Sequence, residues 1–241
     1  RPLAGPRLPR RAKMTKTIRR RNTSDDPATA YARAVVSGKI VAGPHVRATC
    51  ARHLRDLDEG PKRGLTWDLK ALERALGFFP DVLRLSEGQF EGRPFSLHPS
   101  QAFIVGSIFG WKRADGTRRF RRCYIEQGKG NGKSPLAGGI GLYGMMADGE
   151  PGAQVFAAAA KMDQARILFN DAVNMVRQSP MLEERITPSG INPVYNLADL
   201  KTGSFFRPVG RDTGKTGSGL RPHFALLDEI HEHPNRDTLE M

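Results

Sequence analysis

An α/β fold, a sheet flanked by helices with a helical appendage before it, follows from three features of the sequence. From about Phe95 onward, short apolar runs alternate with helix-period segments, the pattern of a sheet covered by helices on both faces. A glycine-rich stretch, Gln127-Gly128-Lys129-Gly130-Asn131-Gly132-Lys133-Ser134, stands between a predicted strand and a predicted helix. An apolar strand, Phe224-Ala225-Leu226-Leu227, delivers Asp228 and Glu229 side by side at its C-terminal end.

Each element has its own signal. Asp26 before Pro27 predicts an N-cap and first turn for a helix reaching Val36. Pro44 opens a second helix, with Val46, Cys50, Leu54 and Leu57 on one face. A third follows Thr66, its stripe formed by Leu65, Leu69, Leu72, Leu76 and Phe79. These stripes need a partner surface, so residues 27–92 are expected to form a packed helical appendage, with the sheet domain at 93–241. Within that domain, helices are predicted over Gln101–Ile108, Pro135–Met146 and Met162–Val176. Strands are predicted over Phe120–Glu126, Gln154–Ala159, Phe205–Val209 and Phe224–Leu227.

Of the 241 residues 39% are hydrophobic, which suits a globular chain, and no apolar run approaches the ~20 residues of a membrane span. The two cysteines, Cys50 and Cys123, make no disulfide framework and fit a reducing compartment. The formal charge of +13 is unevenly spread, and residues 1–21 carry basic side chains and no acid. Residues 1–26 are expected to be a disordered basic tail, either solvated or touching nucleic acid, and Met14 is a candidate start. Lys112, Arg113, Arg118, Arg119, Arg121 and Arg122 surround a turn at Asp115-Gly116, near Trp111 and Phe120. This cluster is either a DNA-contacting surface or the charged exterior of a hairpin.

The glycine-rich loop has the composition of a phosphate cradle. Its glycines let backbone N–H groups turn inward, Lys133 reaches the terminal phosphates, and the Ser134 hydroxyl is a Mg²⁺ ligand. The following helix adds its positive N-terminal end. Gln127 stands where the usual pattern has glycine. A second near-match, Gly210 to Thr216, is one residue short and leads into a strand, so it reads as a connection. At the other half of the site, Asp228 is placed to hold Mg²⁺ and Glu229 to orient and deprotonate an attacking water. His223, His231 and His233, and Cys50 with His53, match no recognised zinc spacing.

With both halves placed, the sequence resembles the large terminase subunit of tailed bacteriophages, in its ATPase domain. The resemblance rests on Val36-Ser37-Gly38-Lys39-Ile40-Val41-Ala42-Gly43-Pro44, on Phe95 through Trp111, and on Gly128 through Pro135. It continues at Asp163-Gln164-Ala165-Arg166 and from Arg221-Pro222-His223 to Asp228-Glu229-Ile230-His231. It implies a P-loop ATPase sheet of the class with an added catalytic glutamate, using ATP and Mg²⁺ to drive double-stranded DNA into a capsid. Implied partners are the portal protein, the small terminase subunit and further copies in a ring, in the host cytoplasm. It implies that Gln101 reads the adenine edge, where the plain reading is a helix-start glutamine. It places Lys129 facing the transferred phosphate, and Arg221 as a finger to a neighbouring subunit or as a local ion-pair partner. In this class a further strand inserts beside the Asp-Glu strand, so the chain is expected to be a fragment or truncated product, without the family's nuclease. The alternatives are a helicase-like ATPase, or a catalytically dead remnant that binds DNA or the portal.

Overall fold

A computed structural model describes residues 26–86, 88–210 and 220–232. The basic tail up to residue 25, the near-match loop beyond Gly210 and His233 lie outside the described residues. Helices α1 (Pro27–Val36), α2 (Pro44–Glu59) and α3 (Leu69–Val82) come first, followed by α4 (Pro99–Gly110). Their starts follow from the sequence. The Asp26 carboxylate accepts from the Thr29 N–H at 2.9 Å, and Asp68 caps α3 through the amides of Lys70 and Ala71. A two-stranded pair, β1 (Thr66–Trp67) with β2 (Trp111–Lys112), joins the end of α4 to the start of α3.

The helical layer closes around a buried histidine. His53 Nδ1 accepts from Trp111 Nε1 at 3.1 Å, so its Nε2–H is the donor toward Thr29 Oγ1 at 3.0 Å. Trp67, Phe103 and Trp111 surround the ring edge-on. Burial pushes His53 down to about 4, outweighing the nearby carboxylates of Asp26 and Asp56. The unfolded chain therefore binds a proton that the folded chain refuses between pH 6.5 and 4. Stability is expected to be full above pH 6.5 and to fall by about 3 kcal/mol on acidification through that window. Thermal melts at pH 7 and pH 4.5 read this, and His53→Gln is expected to flatten the slope.

The sheet has five strands in the order β4-β5-β6-β3-β7: β3 (Gln154–Ala159), β4 (Thr187–Ser189), β5 (Asn196–Asp199), β6 (Ser204–Gly210) and β7 (Pro222–Leu227). β3 lies between β6 and β7 and is parallel to both, while β4 and β5 extend the sheet antiparallel. Helices α5 (Lys133–Met146), α6 (Met162–Gln178) and α7 (Pro180–Arg185) complete the α-helices among the described residues. Glycines let α5 lie flush on the sheet. A Cβ on Gly141 would stand 2.7 Å from Phe206, and one on Gly144 would stand 2.5 Å from Phe224.

One expected strand is absent from the described residues. Phe120–Glu126 is not a strand: β7 has β3 on one side and, on the other, a cavity that separates it from this segment. Without a neighbouring ladder the segment stays irregular, with Arg121 to Tyr124 exposed. Packing is continuous across residue 92. Phe79 and Leu83, from the end of α3, share one core with Leu136, Ile140 and Val155, while Leu72 joins Tyr31 and Phe103 under α1.

Candidate functional site

The glycine-rich loop opens directly into α5. Gly130 and Gly132 have φ of 83° and 71°, the left-handed region that glycine adopts without strain. Lys133 and Ser134 thereby occupy the first turn of the helix, where backbone N–H groups face outward unpaired. The loop satisfies itself: Lys133 Nζ donates to the Gln127 carbonyl at 2.8 Å, and Asn131 Nδ2 donates to the Gly128 carbonyl at 3.1 Å. Lys129 is exposed on the loop. Gln101 stands at a helix start, as its plain reading has it, and beside the glycine-rich loop. Its Oε1 caps the start of α4 by accepting from the His98 N–H at 2.9 Å, while its Nε2 lies 3.5 Å from where a Gly132 Cβ would stand.

The acidic pair ends β7. The Asp228 N–H donates to the Ala158 carbonyl at 3.1 Å, extending the ladder with β3 by one residue. Both acids therefore emerge at the C-terminal edge of the parallel strands, where open α/β sheets bind ligands. Glu229 has φ 46°, an unusual value for a residue with a side chain. Its N–H donates to Asp228 Oδ1 at 3.0 Å, and its Oε2 stands 3.4 Å from His231 Nδ1. Gln164, in the first turn of α6, donates to Glu232 and ties down the turn that follows.

A cavity of about 1170 Å³ joins the two halves, with Lys133, Ser134 and Asp228 all on its wall. Apolar residues of α5 and β7, among them Leu136, Ile140 and Leu226, line the rest. Glu229 is exposed beside this opening, and Arg221 is not gathered into the site. Arg221 precedes the other end of β7, ~20 Å from the acids by strand rise, and its N–H donates to Gln154 Oε1.

The basic cluster divides. Arg118 pairs with Asp148, and Arg119 pairs with the fully buried Asp56 at 2.7 Å, so these two point inward and not toward a DNA surface. Arg113, Arg121 and Arg122 are exposed, and Lys112 is half-buried. The sequence reading missed both acids because each lies far along the chain from its arginine. Burial works to raise Asp56 and Asp148. The guanidiniums of Arg119 and Arg63 on Asp56, and His223 with Arg118 on Asp148, outweigh it and hold both carboxyls below their ordinary value.

The chain is similar to known proteins. Residues 99–241 match the family model described as terminase large subunit, ATPase domain. The terminase large subunit of Enterobacteria phage HK97 is 31% identical over 160 residues, covering 65% of this chain and 30% of that protein. The crystal structure of the HK97 bacteriophage large terminase matches with a TM-score of 0.57 at 28% identity, covering 70% of this chain and 33% of that chain. The chain thus spans about a third of the length of these relatives.

Proposed function

Because the chain belongs to the ATPase-domain family of terminase large subunits, we propose that it hydrolyses ATP to drive double-stranded viral DNA through a portal. The observation that carries this reading is the cavity onto which Lys133, Ser134 and Asp228 converge from two separate elements. The amides of Gly128, Gly130, Asn131 and Gly132 surround the phosphates, and Lys133 leaves the Gln127 carbonyl to meet the terminal ones. The Ser134 hydroxyl and the Asp228 carboxylate are hard oxygen donors on one wall, a set that fits Mg²⁺. Held by Ser134 and Asp228, Mg²⁺ would supply positive charge to offset that of the phosphate oxygens. Glu229 orients the attacking water and takes its proton. Lys129 sets a positive charge near the transferred phosphate, as a point charge and not a bidentate fork. Gln101 faces the adenine edge. Arg221, remote from its own acids, reaches a neighbouring copy in a ring.

The portal protein and the small subunit are the proposed partners, in the host cytoplasm; no described helix is long and apolar enough to cross a membrane. A helicase-like activity gains no support from the family matched.

Lys133→Ala tests the site. Nucleotide affinity, read with a fluorescent ATP analogue, is expected to fall about 10- to 100-fold, the loss of a charge-assisted contact. Unchanged affinity excludes this loop as the site. For DNA, reversing the charges of Lys112, Arg113, Arg121 and Arg122 is expected to weaken duplex binding and flatten its salt dependence. Binding that keeps its affinity and salt slope removes this face.

A further inference from the structure

Arg118 and Arg119 leave one hairpin in different directions. The hairpin is stiff: Arg119 N–H donates to the Trp111 carbonyl at 2.9 Å, Arg113 N–H to Thr117, and Asp115 accepts from both the N–H and the hydroxyl of Thr117. Its turn, with Arg113 at the base and Asp115-Gly116 at the tip, is exposed. At its root, Arg119 is fixed to Asp56 of α2 and stacks against Trp111 and Phe120.

Arg118 goes the other way, to β7. Its guanidinium lies 4.5 Å from the centre of the Phe224 ring and pairs with Asp148, just beyond the end of α5. The same Asp148 oxygen is 2.8 Å from His223 Nε2. These groups are largely shielded, with side-chain exposures of 22% for Arg118, 9% for Asp148 and 17% for His223. Breaking a shielded charge pair from one side costs more than breaking an exposed one. β7 keeps its ladder with β3 on one edge, while its other side faces the cavity and is open to displacement. The cluster grips the start of the strand whose far end carries Asp228 and Glu229.

We propose that Arg118, with Asp148 and His223, is a positioning cluster that couples DNA engagement at the 111–119 hairpin to the placement of β7 and its acidic pair. The inference rests on the reading that this basic face meets duplex DNA and that β7 carries the hydrolytic acids. A turn loaded by DNA moves Arg118, and Arg118 moves Phe224 and His223 with it. Arg118 touches no reacting group in this scheme and acts through the strand.

Amide hydrogen exchange on the full chain, with and without duplex DNA, tests the coupling without requiring turnover. In the wild type, DNA is expected to change exchange across residues 222–228 at least about fivefold. Arg118→Lys keeps the charge but loses the planar stack and fork. It is expected to abolish that response, and the stimulation of ATP hydrolysis by DNA, while DNA affinity and DNA-independent hydrolysis persist. Asp148→Asn, nearly isosteric, is the second variant should Arg118→Lys not fold, and the same loss is expected. Wild-type DNA binding with no change at 222–228 overturns the coupling and leaves the DNA-face reading standing. So does a folded variant that keeps the full response, or one that loses basal and stimulated hydrolysis in equal proportion, which marks a purely structural pair. A wild type that binds no DNA overturns the DNA-face reading, and the coupling falls with it.

Discussion

Replacing Glu229 by Gln is expected to lower the rate of ATP hydrolysis by about 10²- to 10⁴-fold, the range for removing a positioned general base. Nucleotide affinity is expected to stay within about twofold, because the phosphate contacts belong to the loop and to α5. Gln has the same length and tolerates the same backbone, so the φ of 46° at this position affects both variants alike. The fold is therefore expected to survive, and a melt checks that it does. What changes is the ability to accept a proton. Steady-state hydrolysis beside equilibrium binding of a fluorescent ATP analogue separates the two effects. A variant that binds as before and hydrolyses at the wild-type rate removes Glu229 from the chemistry and shifts attention to Asp228. Loss of binding in proportion to loss of rate indicates a structural role for Glu229 in the turn after β7.

The glycine-rich loop that opens α5 and the strand that ends at Asp228 and Glu229 were legible because their signals are local. Glycines at 128, 130 and 132, then Lys133 and Ser134, specify a cradle opening a helix whatever the rest of the chain does. An apolar run ending in two acids specifies a strand whose C-terminal end reaches a sheet edge of the kind that binds ligands, although β7 itself is only half-buried. Helix starts at Pro27 and Pro44 were equally readable, since proline and its preceding residue act on their own backbone, whereas α4 begins at Pro99, two residues before the expected Gln101. The failures share a different cause. Phe120–Glu126 carries strand-like residues, but a strand exists only where a neighbour supplies hydrogen bonds. β4 and β5 are short, and β4 contains Pro188, so neither shows alternation in sequence. Arg118 and Arg119 looked like part of one basic surface because their carboxylate partners, Asp148 and Asp56, sit on other elements. Charge in a sequence says how much is present; only the fold says which of it is spent internally.

Asp56→Ala is expected to cost about 3–5 kcal/mol, the loss typical of breaking a buried ion pair from one side. Asp56 is fully buried, while its two arginines differ: Arg63 is half-exposed, with 50% of its side chain accessible, and Arg119 only 16%. Once the carboxylate is gone, Arg63 turns to water at little cost. Arg119 keeps its stacking on Trp111 and Phe120 but is left as an uncompensated charge beneath the hairpin. Arg63→Ala is accordingly expected to cost no more than about 1 kcal/mol, the scale of an exposed pair. Replacing Asp56 by Leu together with Arg119 by Met is expected to recover much of the loss, because the buried charge leaves with its partner. Urea denaturation midpoints at constant slope measure all three. Against a total stability of about 5–15 kcal/mol, the single change at Asp56 is large enough to populate the unfolded chain. An Asp56→Ala variant within about 1 kcal/mol of the wild type means that Arg119 finds solvent or another acid. The hairpin root is then held by its aromatic contacts and its backbone hydrogen bonds, and not by charge.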